Sequence, residues 1–225
     1  MDRAKIFRSH EITEILNVAK EKGRDNDLEL FYTLAFTGMR SSKLCALKWS
    51  DIDFKNKTIK ITKNHYSKSK RLNEYELTTP KTLKSIRTIT IEDFLADLLR
   101  QLKMKQLKKL TQRRSIDPNF YYHDKNFVFC NRHGYPYNNV HVGNHLKNLL
   151  SYTNIKKNVP PHFFRHSHVS MMTEAGIDLQ SIMERVGHDN VNTTLKIYTH
   201  ITNKMREKTA VKLKGMFDDI LEKTK

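Results

Sequence analysis

Four short clusters of the sequence contain side chains that could together attack a phosphodiester bond. The clusters supply two arginines, one lysine, two histidines and one tyrosine, which are Arg40, Lys81, His162, Arg165, His188 and Tyr198. A tyrosine hydroxyl has an ordinary pKa of about 10, so it needs help to act as a nucleophile at neutral pH. Guanidinium groups favour the phenolate and neutralise the non-bridging oxygens of a pentacoordinate transition state. A histidine can move the tyrosine proton, and a lysine can protonate the leaving 5′ oxygen.

Each cluster also has a structural explanation when it is taken alone. Arg40 follows Gly38 at the end of an apolar segment, where an arginine can bond the last carbonyls of a helix. Lys81 lies between two predicted strands, and a lysine in such a connection is usually solvated. Tyr198 near a helix end is most often a half-buried packing residue. The chemistry is therefore indicated by the four clusters together and by none of them singly.

Two histidine pairs with i,i+4 spacing are open to interpretation as metal ligands. The pairs are His141 with His145 and His162 with His166. Such spacing places two imidazoles on one helix face, as in many zinc sites. No thiol or carboxylate at ligand spacing accompanies either pair, so we expect no metal site.

The spacing of apolar residues predicts that helices carry most of these side chains. The predicted helices cover residues 9–22, 26–37, 41–47, 92–114, 138–153, 162–175, 178–186, 192–199 and 202–223. Ser9 is the expected N-cap of the first helix, and the expected stops are Gly23, Gly38, Gly176 and Gly187. Alternating residues predict three strands over 57–66, 74–79 and 85–91, joined in one small antiparallel sheet. We therefore predict an α+β fold that is mainly α-helical.

The charge of the chain points to a polyanion as its partner. The 225 residues include 41 Lys and Arg but only 24 Asp and Glu, which gives a net charge of +17. Nucleic acid is the commonest polyanion, and the 38% of hydrophobic residues is enough for a folded core. We expect no membrane partner, because no long apolar run or signal core is present and the charge is not concentrated in one amphipathic helix. Cys45 and Cys130 are expected to be reduced and buried, as in a cytoplasmic protein.

One basic run is a candidate for contacts with the DNA backbone. Residues 100–114 contain no acid, and the candidates there are Lys103, Lys105, Lys108, Lys109, Arg113 and Arg114. An uninterrupted basic run is typical of phosphate contacts, although it also suits a solvated outer helix face. Both interpretations stay open at this point.

Several stretches, in this order and spacing, resemble the catalytic domain of a tyrosine recombinase of the phage-integrase family. They are TGMR with LCALKWSDID, PKT with SIRTITI, HFFRHSH, and VGHDNVNTTLKIYTH. The resemblance covers nearly all of residues 8–200. Within the family, the sequence is similar to integrases of phages and conjugative transposons of Gram-positive bacteria. It implies Arg40 and Arg165 as phosphate clamps and Lys81 as general acid. It also implies His162 as the general base or proton relay and His188 as a second hydrogen-bond donor to the transition state. Tyr198 would be the nucleophile.

Two departures from the family pattern bear on these expectations. Family members usually carry an acid three residues after the first arginine, where this chain has Lys43. The family's N-terminal core-binding domain is also expected to be absent. Residues 1–202 would then be the catalytic domain, and 203–225 a helical tail that either contacts a neighbouring protomer or packs on its own domain.

The resemblance implies integration or excision of a mobile element by DNA strand cleavage and rejoining. The intermediate would be a 3′-phosphotyrosyl ester, and no cofactor would be required. The partners would be double-stranded attachment sites and three further copies in a homotetramer on DNA. The isolated domain would be a monomer. The expected location is the bacterial cytoplasm, at the nucleoid. The alternatives are a type IB topoisomerase-like activity and a DNA-binding regulator with impaired catalysis, which Lys43 alone favours.

Overall fold

A computed structural model of the chain describes residues 6–67, 71–80, 85–157, 159–187 and 191–223. The first helices are α1 Ser9–Lys22, α2 Asp27–Thr37 and α3 Ser41–Cys45, and they are followed by a 3₁₀ turn at Trp49–Asp51. The strands are β1 Ile52–Asp53, β2 Thr58–Ile61, β3 Asn64–Ser67, β4 Tyr75–Thr78 and β5 Arg87–Thr90. The later helices are α4 Asp93–Ile116, α5 Asn139–Leu150, α6 Phe163–Glu174, α7 Leu179–Val186 and α8 Val191–Lys223. The predicted α+β class with a helical majority is confirmed.

Aromatic side chains join the N-terminal segment, α2 and α6 in the main core. The Phe164 ring lies 5.1 Å from that of Phe7 and 5.5 Å from that of Phe31. All three side chains are almost completely buried. Burial of one such side chain stabilises the fold by about 2–3 kcal/mol, which fixes α6 against α2. Because Arg165 directly follows Phe164, this packing also fixes the backbone that carries the arginine.

A second and smaller cluster holds α8 against α6 and α7. Its buried members are Val169, Ile182, Val186, Ile197 and Ile201. Met172 and Tyr198 pack against its edge. The position of the tyrosine is therefore set by side chains of three helices.

The three predicted strands are present, but they belong to two sheets. β1, β2 and β5 form a three-stranded antiparallel sheet in which Ile59 is paired with Ile89. Among the described residues β3 pairs with β4 in a separate two-stranded sheet, and Asn64 lies opposite Thr78. The predicted strand 57–66 is thus two strands with different partners. Alternation showed which face is buried, but it carries no information on the partner strand.

Two predicted helix boundaries are wrong. The helices predicted over 192–199 and 202–223 form the single helix α8, because the buried pair Ile197 and Ile201 continues the apolar face across the expected gap. Ser9 is the first residue of α1 and not its cap. The N-cap is Arg8, whose backbone N–H donates to the Glu11 carboxylate at 2.8 Å.

Two further sequence expectations have structural outcomes. Cys45 and Cys130 are buried free cysteines. Within the part of the chain that is described, no helix combines the length and the apolar character needed to cross a membrane.

Candidate active site

Arg40 lies at a sharp turn between α2 and α3. Gly38 ends α2 in the left-handed region, with φ +60°, and its N–H donates to the Leu34 carbonyl at 3.1 Å. A Cβ on Gly38 would lie 2.7 Å from the His168 ring, so the turn needs glycine for both its conformation and its packing. Met39 is buried at the turn, while Arg40 is half-buried and begins α3 as its N-cap. The end of α2 at Gly38, which the sequence predicted, therefore places Arg40 at the start of α3.

Arg165 joins the C-terminal ends of α2 and α7. It is 3% exposed, and its Nη1 donates to the Gly38 carbonyl at 2.9 Å and to the Val186 carbonyl at 2.6 Å. Its Nη2 donates to the Gly187 carbonyl at 3.5 Å. Hydrogen bonds from a charged donor contribute about 1.5–3 kcal/mol each. The second arginine is thus held rigidly beside the turn that carries Arg40.

Lys81 and His188 lie outside the described residues. Their described neighbours along the chain include Gly187 and Ser85. Gly187 immediately precedes His188, has φ +60° as the C-cap of α7, and accepts a hydrogen bond from Arg165. Ser85, four residues after Lys81, is contacted by Lys43 and Arg87.

His162 is the N-cap of α6, one helical turn before His166. Its exposed side chain lies edge-on to the rings of Phe163 and His166, with centroids 5.0 and 5.2 Å away. Partial burial of the imidazole lowers the pKa of His162 below its usual value. The ring is therefore neutral at pH 7 and able to accept a proton, which suits a general base.

Tyr198 is half-buried on α8 at the edge of the second cluster. That cluster includes Val186, whose carbonyl accepts a hydrogen bond from Arg165 at 2.6 Å. Tyr198 thus packs on a cluster that includes the last residue of α7, and Arg165 bonds the carbonyl of that residue. Arg40 is joined to them through the Gly38 carbonyl.

Arg185 and His168 form a polar contact behind this site that the sequence analysis missed. The guanidinium of Arg185 donates to the Phe36 and Thr90 carbonyls, each at 3.1 Å, and so ties α7 to α2 and β5. Its Nε lies 3.1 Å from Nε2 of the buried His168, whose Nδ1 lies 2.9 Å from the Ala35 carbonyl. Burial and the neighbouring Arg185 lower the pKa of His168 to about 4, so this histidine is neutral at pH 7. A neutral ring can donate to the carbonyl and accept from the guanidinium.

Arg87 is a second supporting side chain that was missed. Its Nε donates to the Arg185 carbonyl at 2.6 Å, and a Cβ on Gly187 would lie 2.5 Å from its Nη1. Arg87 shares the inward face of β5 with the buried Ile89. An arginine at an inward position of a strand was the signal in the sequence, because such a position normally takes an apolar residue.

The acceptors of Arg165, Arg87 and Lys43 named above are backbone carbonyls. These hydrogen bonds hold three positively charged groups in place near the ends of α2 and α7 and the start of β5. The arrangement suits an oxyanion such as a phosphodiester. Across the described ranges, no three or more His, Cys, Asp or Glu side chains converge in a way that could hold a metal ion.

The basic run on α4 is partly engaged within the protein. Asp25 from the α1–α2 connection contacts Lys109 at 2.6 Å and Lys105 at 3.8 Å. Arg113 donates to the Arg132 carbonyl at 2.9 Å, and the Lys103 ammonium lies 5.8 Å from the Trp49 ring. Two of the six candidates are exposed without a described contact of this kind, and they are Lys108 and Arg114. Contact with DNA remains a prediction for the whole group.

Comparison with known proteins identifies relatives along almost the entire chain. The model of the phage integrase family matches residues 5–205. The integrase of Staphylococcus phage L54a is 32% identical over 224 residues, which cover 96% of this chain and 62% of that relative. The ICEBs1 integrase of Bacillus subtilis is 33% identical over 199 residues, covering 85% of this chain and 48% of the relative. The chain thus spans about half to three fifths of the length of these two relatives.

Solved structures share the fold. The Tn1549 transposon integrase in complex with transposon right end DNA superposes with a TM-score of 0.72 at 20% identity, covering 93% of this chain and 67% of that one. The XerA recombinase gives a TM-score of 0.67 at 20% identity, covering 92% and 64%. With the family match over residues 5–205, the chain belongs to the phage integrase family.

Proposed function

We propose that this chain cleaves and rejoins DNA strands in site-specific recombination, integrating or excising a mobile element. The observation that carries the proposal is the set of hydrogen bonds made by Arg165. One buried guanidinium connects the turn of Arg40, the end of α7 before His188, and the cluster that supports Tyr198. Two arginines acting with one tyrosine would supply the charge stabilisation that phosphodiester attack by a phenol needs.

In the proposed reaction, Arg40 and Arg165 bind the non-bridging oxygens of the scissile phosphate. The Tyr198 oxygen attacks phosphorus and its proton passes to His162, whose neutral state at pH 7 suits this role. The bond from phosphorus to the 5′ oxygen breaks, and Lys81 gives that oxygen a proton. His188 donates a hydrogen bond to the transition state. The products are a 3′-phosphotyrosyl ester and a free 5′ hydroxyl.

The second half of the reaction reverses these steps with a different strand. A 5′ hydroxyl attacks the phosphotyrosyl ester, and the tyrosine oxygen becomes the leaving group. One ester replaces another at each step, so the bond energy is retained and no nucleotide cofactor or metal ion is part of the proposal. Exchange between two duplexes passes through a Holliday junction.

We further propose that recombination takes place in a homotetramer on two double-stranded attachment sites. The DNA complex of the Tn1549 integrase supports DNA as the partner. Residues 1–202 would form the catalytic unit and 203–225 a tail for contacts between protomers. The part of α8 beyond Thr202 exposes apolar side chains, which are Met205, Val211, Leu213, Met216 and Phe217.

An apolar groove offers a surface of matching character for this tail. It has a volume of about 650 Å³ and lies between α1, α2 and α6, lined among others by Ile12, Leu16, Phe36 and Met171. The tail of one copy would dock in the groove of another once both copies are bound to DNA. The isolated domain would be a monomer until DNA brings copies together. The proposed location is the nucleoid in the bacterial cytoplasm.

A trapping experiment tests the proposed function. The chain is incubated with a pool of duplexes that have a randomised central sequence. Each duplex carries one nick, and the position of the nick differs between members of the pool. Cleavage next to the nick releases a short fragment and cannot be reversed. We expect a covalent adduct whose sequence can be read and resynthesised, and no adduct with Tyr198→Phe. The matched control is Tyr66→Phe, an exposed tyrosine on β3.

The products of the resynthesised duplex separate the possible activities. Exchange of strands between two duplexes supports recombination, whereas relaxation of a supercoiled plasmid without exchange would assign a topoisomerase-like activity. Specific binding without an adduct in any pool would overturn the catalytic proposal.

A further inference from the structure

The direction of the Arg165 guanidinium depends on the spacing between the ends of α2 and α7. Its Nη1 donates both to the carbonyl of Gly38, which ends α2, and to the carbonyl of Val186, the last residue of α7. Because a guanidinium is planar, two acceptors on one nitrogen fix the plane of the group and the direction of its other nitrogens. Arg165 would keep only one of the two bonds if the carbonyls moved apart. The proposed phosphate clamp therefore needs a fixed distance between the two helix ends.

Arg185 makes a second bridge between the same two helix ends. It precedes Val186 on α7, and its Nη2 donates to the Phe36 carbonyl at 3.1 Å. Phe36 lies two residues before Gly38, so the bridges made by Arg165 and Arg185 join neighbouring residues of both helices. The carbonyl end of a helix carries partial negative charge, so two such ends repel each other when they meet. A guanidinium between them offsets this repulsion and holds the two ends together.

The guanidinium of Arg185 is itself fixed by acceptors from three other elements. Its Nη1 donates to the Thr90 carbonyl at the end of β5, and its Nε donates to Nε2 of His168 on α6, each at 3.1 Å. The third acceptor is the Phe36 carbonyl of α2. Every nitrogen of the fork thus has a partner, and a lysine with its single nitrogen could not reproduce this geometry. Arg185 therefore sets the position of α7 relative to α2, α6 and β5.

We propose that Arg185 is a positioning residue for Arg165, because its guanidinium fixes the spacing of α2 and α7 on which both Nη1 bonds of Arg165 depend. This inference rests on the proposed function, in which Arg165 binds the scissile phosphate. Arg185 acts through Arg165 and does not touch the phosphate. Its loss should leave the fold in place, because Arg185 is half-buried and lines the apolar groove, where water can hydrate the carbonyls that lose a donor.

The test uses two resynthesised duplexes that differ at the scissile phosphate. One has the normal phosphodiester, and the other has a methylphosphonate, in which a methyl group replaces one non-bridging oxygen. The methylphosphonate is neutral, so no guanidinium is needed to compensate the charge of the replaced oxygen. Arg165→Ala identifies the stereoisomer in which methyl replaces the oxygen that Arg165 binds, because this variant and the wild type then cleave at similar rates. A defect that acts through Arg165 is absent on that stereoisomer, whereas a general loss of structure slows cleavage of both duplexes.

We expect Arg185→Met to cleave the phosphodiester about 10- to 100-fold more slowly than the wild type and to cleave the chosen methylphosphonate at nearly the wild-type rate. Arg185→Lys keeps the charge without the fork, so its rate on the phosphodiester should lie between those of Arg185→Met and the wild type. The matched control is Arg24→Met, which removes an exposed arginine that contacts Asn148 and should leave both rates unchanged. Equal slowing of Arg185→Met on both duplexes, or wild-type rates on both, would overturn the proposal.

Two further comparisons keep the outcome decisive. If neither stereoisomer restores Arg165→Ala, a double-mutant cycle with Arg165→Lys on the phosphodiester decides. Arg185→Met should then slow Arg165→Lys less than it slows the wild type, and equal slowing of the two would overturn the proposal. If circular dichroism shows that Arg185→Met is unfolded, Arg185→Gln takes its place in every comparison.

Amide hydrogen exchange without DNA separates this inference from the proposed function. The N–H groups of Gly38 and Gly187 close the last turns of α2 and α7, so their exchange should rise in Arg185→Met while exchange in α5 stays constant. Unchanged exchange at both glycines would refute the positioning role even if the wild-type chain formed no adduct. Failure of the wild-type chain to form an adduct, with the rise in exchange present, would refute the proposed function alone.

Discussion

Because His168 is buried in its neutral form, we expect the folded chain to lose stability when the pH falls through 6. Burial and Arg185 lower the pKa of this imidazole to about 4 in the folded chain, whereas an unfolded chain has a histidine pKa of about 6.5. Below pH 6.5 the unfolded state binds the proton more readily, so stability present at pH 7.5 is lost as the pH falls toward 4. Linkage between these two pKa values gives a loss of about 2 kcal/mol at pH 5 and about 3 kcal/mol below pH 4.

Urea unfolding followed by circular dichroism measures this effect. His168→Gln keeps an amide donor for the Ala35 carbonyl and an acceptor for Arg185, but it does not titrate. Between pH 7.5 and pH 5.0 the wild-type chain should lose about 2 kcal/mol more than the variant. With an m value of about 2.5 kcal/mol/M, this is a difference of about 0.8 M in the shift of the midpoint.

Both chains contain the other histidines, so the contribution of these residues to the loss of stability cancels when the two pH dependences are compared. His10→Gln serves as a control for loss of an exposed histidine and should keep the wild-type pH dependence. If His168→Gln loses as much stability as the wild-type chain over this range, His168 is not held neutral by burial. The account of its contact with Arg185 would then be wrong.

Three other predictions follow from the site. Arg165→Ala should abolish cleavage and lower the free energy of unfolding by about 3 kcal/mol in urea, because two short charged hydrogen bonds are lost, whereas Arg40→Ala should abolish cleavage with little change in stability. Gly187→Ala should destabilise the chain by about 1–2 kcal/mol, because its φ of +60° disfavours alanine, and a wild-type urea midpoint would contradict this. Lys108→Ala and Arg114→Ala should each reduce the salt dependence of DNA binding by about one counterion, and an unchanged slope in filter binding would assign that face of α4 to solvent.

The sequence predicted the parts of the fold that depend on local periodicity. Gly38 and Gly187 were expected to end helices, and both do so in the left-handed conformation. The helix predicted over 162–175 contributes Phe163 and Phe164, which are buried in the core. Partners of strands were not predictable, because the alternation through Ile61 and His65 continues although the chain changes sheets between them.

The supporting residues of the site were harder to predict than the proposed catalytic ones. Arg87, His168 and Arg185 act through contacts with carbonyls that are distant in sequence, and no local spacing reports such contacts. Lys43 was noticed only as a departure from a family pattern. Its bond to Ser85 depends on how α3 meets the entry to β5, which no local pattern describes.

The continuity of α8 has a mechanical consequence. Tyr198 and the exposed apolar tail are parts of one rod, and about 38 Å of helix separates the tyrosine from Lys223. A tilt of about 5° around the tyrosine would displace the far end by about 3 Å at this length. Conversely, a molecule that binds the C-terminal end of α8 would change the orientation of the Tyr198 phenol. A glycine pair inserted after Thr202 would act as a flexible joint and should separate events at the tail from the reactivity of the tyrosine.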